Sequence, residues 1–280
     1  MKVLAHLYGG LVVLFLLAPL LVLVPMSLGS ADIAEFPPRS VSLAQYRKFF
    51  DSRLWLESVA TSLRVACATS IVATMLGTMA AFGLVRGTFP GKAALSALLI
   101  APRFVPVIIT ALAFYAFLAM LGLIGTEKGL ILAHVILACP YVIIIVSATL
   151  RGVDRSLEQA SRSLGANPLR TVLHITLPLI RPGLVSAALI AFVISFDEIV
   201  VAIFIAGTRT VTLPKRMWDS LVFEMEPTLP AISTLIVLAT LLVCVAAGWT
   251  RRAAGRLRET SPRDEEPWLE SVRPDAATHP

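Results

Sequence analysis

Apolar residues run along this chain in six long stretches: Leu7 to Leu28, Val65 to Val85, Phe104 to Thr126, Gly129 to Leu150, Pro182 to Thr208 and Pro227 to Thr250. A hydrocarbon core of roughly 30 Å takes about 20 helical residues to cross, and each stretch is long enough. Backbone groups in lipid must be paired within their own segment, so the stretches predict helices. Their dense Leu, Ile, Val and Ala runs lack the inside-outside alternation of a porin-like barrel. The expectation is an all-α polytopic membrane protein with six transmembrane helices. Formal charge enters only the fifth stretch, at Asp197 and Glu198.

The segments between the stretches are punctuated differently. Ala31 to Glu57 carries Pro37 and Pro38, then Tyr46, Phe49 and Phe50, which predicts a turn and a short surface helix. Pro102 and Pro106 interrupt the start of the third stretch; proline deletes a backbone donor and bends a helix. Between the fourth and fifth stretches, Val153, Leu157, Ala160 or Ser161, and Leu164 recur at helical spacing. Gly165 then suits a helix C-cap, where a left-handed backbone costs little. Asn167 before Pro168 reads as an N-cap followed by a first-turn proline. A second helix through Leu169, Val172 and Leu173 is expected to end at Pro178 and an Arg181-Pro182-Gly183 turn. Residues 151–181 therefore predict two short helices joined by an elbow.

Composition sharpens this picture. The chain has 280 residues, 57% hydrophobic and only 15% charged, too few charges to cover a water-facing surface. Its formal charge of +6 follows topology: Arg86, Lys92, Arg151, Arg155, Arg162, Arg170, Arg181, Arg251, Arg252, Arg256 and Arg258 fall on one side. Loops on the other side are balanced in sign. The positive-inside rule puts the arginine-rich side, and both termini, in the cytoplasm. No aromatic-basic face supports nucleic-acid binding. Cys67, Cys139 and Cys244 lie far apart within apolar stretches, as buried thiols rather than a metal site or disulfide. The first apolar run exceeds the 7 to 15 residues of a cleaved signal, so it is read as a retained span. Residues 1–250 are expected to form one membrane domain and 251–280, which starts with four arginines and then becomes rich in acidic residues and proline, a mobile tail.

The elbow has an amphipathic-connector reading, lying on the membrane with its arginines at phosphate depth. Its length and punctuation go further. Gln159-Ala160-Ser161, three residues, Gly165, nine residues, then Ile175-Thr176-Leu177-Pro178 resembles the cytoplasmic loop of binding-protein-dependent ABC transporter permeases, whose pattern opens Glu-Ala-Ala. Gln159 and Ser161 depart from that triplet. Glu158 lies one residue early, and neighbouring helical residues point about 100° apart, so it does not replace the missing carboxylate in the same direction.

The resemblance implies a type I ABC importer permease fold. It also implies that Glu158, Gln159, Ala160, Ser161, Gly165, Ala166, Ile175, Leu177 and Pro178 form the coupling surface to a cytoplasmic ATP-binding subunit. ATP and Mg would be bound there, since this chain has no G-x-x-x-x-G-K-[ST] phosphate loop, catalytic pair or cofactor site. Ser195-Phe196-Asp197-Glu198 and Thr212-Leu213-Pro214-Lys215-Arg216-Met217-Trp218 look like the polyamine branch of the family. That branch implies two ATPase subunits, a second related permease, a periplasmic or extracellular solute-binding protein, inner-membrane placement, and inward movement of putrescine or spermidine. Asp197 and Glu198 stand as either a packing node or an attraction for a cationic solute. Lys215, Arg216 and Trp218 stand as either receptor contacts or an ordinary interfacial loop. The alternatives are a permease for another small solute or an ion-coupled secondary transporter.

Overall fold

Small residues decide how closely the long helices of this chain meet. The structure, a computed structural model, describes residues 2–29, 35–224 and 226–241. Helix α1 is Lys2–Ser27, α2 is Ala44–Asp51 and α3 is Arg53–Arg86. After α4, Lys92–Ile100, and α5, Val107–Met120, comes α6, Glu127–Arg151. The elbow holds α7, Arg155–Ser163, and α8, Pro168–Thr171; α9 is Leu177–Phe196, α10 Val200–Ile205 and α11 Leu213–Asp219. A last helix, α12, is described over Leu229–Leu241.

Helices α3, α6 and α9 pack against one another as the central bundle. Their contact faces carry Ala73, Gly77 and Ala81 on α3, Ala133 and Ala138 on α6, and Gly183, Ala187 and Ala191 on α9, all buried. Lipid tails are as apolar as leucine, so apolar burial alone does not hold such helices together. Close van der Waals approach between small side chains does. A Cβ at Gly77 would come within 2.6 Å of Val142 Cγ1. Helix α10 packs on α5 and α6, while α1 leaves nearly all its apolar length uncovered.

Among the described residues four helices are long and apolar enough to cross a membrane: His6–Ser27, Arg53–Arg86, Glu127–Arg151 and Pro168–Phe196. Lys92–Phe104 and Val107–Met120 make a fifth crossing if they count as one span, but they meet at a 104° bend. The prolines expected to interrupt this region do so. Val105, ahead of Pro106, is extended at ψ 133°, because the following ring disfavours the helical region there. Of the expected six, four or five spans are thus found among the described residues; the sixth stretch is described only to Leu241, and the tail lies outside the described residues.

The fifth stretch differs most from expectation. Its helix starts in the elbow and runs unbroken from Pro168 to Phe196. No turn forms at Arg181-Pro182-Gly183: Pro182 lies inside α9, and the helix instead widens earlier, into a π-turn over Val172–Thr176. Leu177 N–H bonds Val172 O, five residues back. Pro178 follows directly as the second residue of α9, in a helix already irregular at the widened turn. Gly183 serves a close crossing instead of a turn: a Cβ there would collide with the Thr149 side chain. At the other end, the stretch expected to continue to Thr208 stops at Phe196, breaks at Asp197, and resumes as α10.

Candidate functional site

The elbow is closed by its own backbone and short side chains. Asp154 accepts from Ser156 N–H at 2.8 Å and starts α7. The backbone N–H and hydroxyl of Ser156 hold the Asp154 carboxyl below its ordinary range. At the far end of α7, Gly165 sits at φ +90°, with Gly165 N–H on Arg162 O and Ala166 N–H on Ser161 O. That pair of bonds is the Schellman arrangement, which needs a left-handed residue at the glycine. Asn167 Oδ1 accepts from Arg170 N–H at 2.7 Å and begins α8 beside Pro168. The Ser161 and Thr171 hydroxyls lie 3.2 Å apart across the angle.

With its polar termini satisfied internally, the elbow turns apolar side chains outward. Leu164 is 89% exposed and Leu169 67%, and Leu157 is uncovered as well. Gln159, Ala160 and Pro178 are exposed, whereas Ser161, Ala166, Ile175 and Leu177 are half-buried. Leu157, Leu164 and Leu169 are thus apolar side chains left uncovered on the elbow.

Glu158 points the other way, into its own chain. Its Oε1 accepts from Arg86 Nη2 at 2.8 Å, Arg86 Nε at 3.1 Å and Thr176 Oγ1 at 3.1 Å. Arg86 Nη2 also donates to Val153 O, and Arg155 Nη2 donates to Val85 O at 2.9 Å. One carboxylate thus ties α7 to the last residue of α3 and to the π-turn that leads into α9. A pocket of about 530 Å³ beside this junction is lined by Arg86, Lys92, Arg151 and Arg155. Sequence reasoning placed Glu158 in the coupling surface but missed Arg86 as its partner, 72 residues away.

The charged pair sits in the break between α9 and α10. Asp197 N–H closes the last turn of α9 on Val193 O. Glu198 Oε1 accepts from Val201 N–H at 2.9 Å, so this carboxylate caps α10. Asp197 is exposed, and Glu198 is half-buried. The pair is therefore divided, one group used as a helix cap and one facing out. Next to the break, Ser195 Oγ and His134 Nδ1 lie 2.8 Å apart, with His134 fully buried on α6. This contact was not anticipated, although an ionisable side chain inside an apolar stretch is a signal for it.

Helix α11 lies at the end of the bundle remote from the elbow. Arg216 Nε donates to Ser58 Oγ at 2.6 Å, and Leu213 N–H to Ser62 Oγ at 2.7 Å, both on α3. Lys215 Nζ pairs with Asp219 at 2.6 Å, and Trp55 Nε1 donates to Glu226 at 3.2 Å. Of the three residues singled out here, Lys215 and Arg216 are engaged within the chain, while Trp218 is 45% exposed. Among the described residues no group of three or more His, Cys, Asp or Glu could hold a metal ion.

Residues 73–257 match the family described as "Binding-protein-dependent transport system inner membrane component". The putrescine transport system permease protein PotI of Escherichia coli strain K12 is 35% identical over 251 residues, covering 87% of this chain and 89% of that one. The spermidine/putrescine transport system permease protein PotC of Haemophilus influenzae is 29% identical, covering 82% and 90%. The trehalose transport system permease protein SugB of Mycobacterium tuberculosis is 28% identical, covering 88% and 92%. Among solved structures, a chain of a bacterial ABC transporter involved in the import of alginate superposes with a TM-score of 0.72 at 14% identity, covering 88% and 95%. That likeness speaks for the fold.

Proposed function

The chain belongs to the family of binding-protein-dependent transport system inner membrane components, and from that membership we propose that it is the polyamine permease of an ATP-driven importer. As a family member it is a non-catalytic, multi-pass membrane permease subunit of an ABC-type importer, which works with ATPase and solute-binding partners. Putrescine or spermidine is the proposed cargo. Identity to the putrescine and spermidine/putrescine permeases supports this. The trehalose permease, nearly as similar as the second of these, keeps another small solute as the competing reading.

The observation that carries the mechanism is the elbow whose ends are capped while Leu157, Leu164 and Leu169 face outward. In the proposed assembly, two ATPase subunits sit under this permease and a related second one, in the inner membrane, with ATP and Mg bound by the ATPases. Each elbow enters a groove on an ATPase. The arginine excess of the elbow side puts that face, and both termini, in the cytoplasm. Residues 151–181 act as the coupling segment of a membrane domain spanning 1–250, followed by the tail 251–280. Exposed Asp197 attracts the cationic solute at the break between α9 and α10, and high selectivity resides in the solute-binding protein. Trp218 meets that receptor, whereas Lys215 and Arg216 hold α11 in shape.

Purified complex in vesicles, supplied with its receptor and with labelled putrescine, spermidine or trehalose, tests the reading. ATP-dependent uptake of one of the two polyamines is expected. Preference for trehalose would overturn the cargo, and uptake that survives ATP depletion but not collapse of an ion gradient would overturn the mechanism.

A further inference from the structure

We propose that the Arg86–Glu158 pair is the joint through which movement of the elbow enters α3, and that α3 carries it to the α11 end of the bundle. The inference rests on the docking of an ATP-hydrolysing partner at the elbow, as read above. Covalent routes leave both ends of the elbow. One runs back through Gly152 into α6, which carries Pro140 in its interior; the other runs through α8 into α9, but it passes the π-turn at Val172–Thr176, where wider bonds interrupt the regular ladder. A non-covalent route runs through Glu158, whose Oε1 receives both Arg86 Nε and Nη2. The contact is charge-assisted, which makes it stronger than a neutral hydrogen bond.

What Arg86 ends is a helix suited to carry displacement. Helix α3 has 34 residues and no proline, so it is about 50 Å long at 1.5 Å per residue. Its other end grips α11 through Ser58–Arg216 and Ser62–Leu213, and reaches Glu226 through Trp55. A single element therefore touches both the elbow and the remote face. The Arg86 and Glu158 side chains are 18% and 19% exposed, so water screens their contact only in part. Arg155 on Val85 O adds a second tie beside it. Arg86 is on this account a positioning residue, since it touches neither solute nor nucleotide.

Spatial continuity alone does not establish coupling; a double-mutant cycle does. Arg86→Glu, Glu158→Arg and the double reversal are made in the complete complex, with Arg86→Gln as a neutral variant. Receptor-stimulated ATP hydrolysis, putrescine taken up per ATP, and copurification of the ATPase are read for each. Each reversal is expected to lower uptake per ATP by about tenfold, and the double reversal to restore it to within about threefold of the parent. The ATPase should still copurify with Arg86→Gln. The proposal is overturned if Arg86→Gln and Arg86→Glu keep uptake within about twofold of the parent, if the assembled double reversal recovers nothing, or if Arg86→Gln loses the ATPase. Gly165→Val serves as the control for the docking reading. If it abolishes uptake while the Arg86 variants do not, only the route through α3 fails; if neither matters, docking at the elbow fails too.

Discussion

The two ends of the α3–α6–α9 bundle solve the same problem in opposite ways. At the α11 end, polar side chains find partners inside the chain: Arg216 on Ser58, Lys215 on Asp219, Trp55 on Glu226. At the elbow end, backbone termini are closed by Asp154, Gly165 and Asn167, and the leucines are left without cover. The first end is held by side-chain ties to α3, with Trp218 and Phe223 left exposed beside them. On the proposed reading, the second holds its shape to present a surface that a partner completes.

Breaking the elbow should have the largest effect. Valine at Gly165 would put a β-branched residue at φ +90°, at a cost of about 1–3 kcal/mol locally. Because a Cβ there meets nothing within 4 Å in the chain, the bundle should keep its melting temperature while ATPase copurification and uptake fall by more than tenfold. An equal loss of thermal stability would show that the elbow belongs to the core.

The α11 end should respond in the reverse sense. Arg216→Ala removes the charged donor to Ser58, whose hydroxyl still bonds Leu54 O, and should lower stability by about 1 kcal/mol in a detergent melt. Trp218→Ala should leave the melt alone and weaken receptor-stimulated ATP hydrolysis by several-fold, about 1 kcal/mol for a single rim contact. Should Trp218→Ala destabilise and Arg216→Ala merely weaken the receptor, the two roles have been exchanged.

A finer distinction concerns the break. Glu198→Gln keeps an acceptor for Val201 N–H and should preserve assembly, with a stability change of about 1 kcal/mol or less. Asp197→Asn should leave assembly intact and reduce uptake of putrescine more than that of an uncharged solute. Equal losses for both solutes would return Asp197 to a packing role.

The smallest effect is a pH dependence at the start of α7. The folded Asp154 carboxyl is depressed below its ordinary value of 3.8 by Ser156. Its contribution is therefore complete above that value and disappears as pH falls through the lower, folded one. The protection of the Ser156 amide, its exchange rate measured against the intrinsic rate at each pH, should fall in that window on acidification, and Asp154→Ala should remove the dependence.

The elbow was legible in the sequence because its determinants are local. A glycine needing φ > 0, an Asn-Pro start and a helical stripe each act within a few residues, and all three are realised in α7, α8 and their turn. The polar contacts were illegible for the opposite reason. Arg86 lies 72 positions from Glu158, and Arg216 lies 158 from Ser58, so only the packed bundle selects those pairs. Proline misled in one place. Pro178 and Pro182 read as helix terminators, but Pro178 follows a widened turn and Pro182 is carried inside α9, as packed membrane helices allow. Asp197 and Glu198 were visible as a charged pair, yet nothing local announced that one of them would become a cap.

The widened turn also fixes a phase. Buried positions in this helix advance from Thr171 to Thr176 in a step of five, and thereafter through Ile180, Gly183, Ala187, Ala191 and Ser195 in steps of three or four. One surplus residue has been wound in between the glycine elbow and the Leu177-Pro178 pair. Deleting it would rotate everything downstream by about 100°, swinging Gly183 away from Thr149 and Ser195 away from His134. The spacing between glycine and proline is thus a dial setting, and the azimuth of the whole membrane segment is read from it.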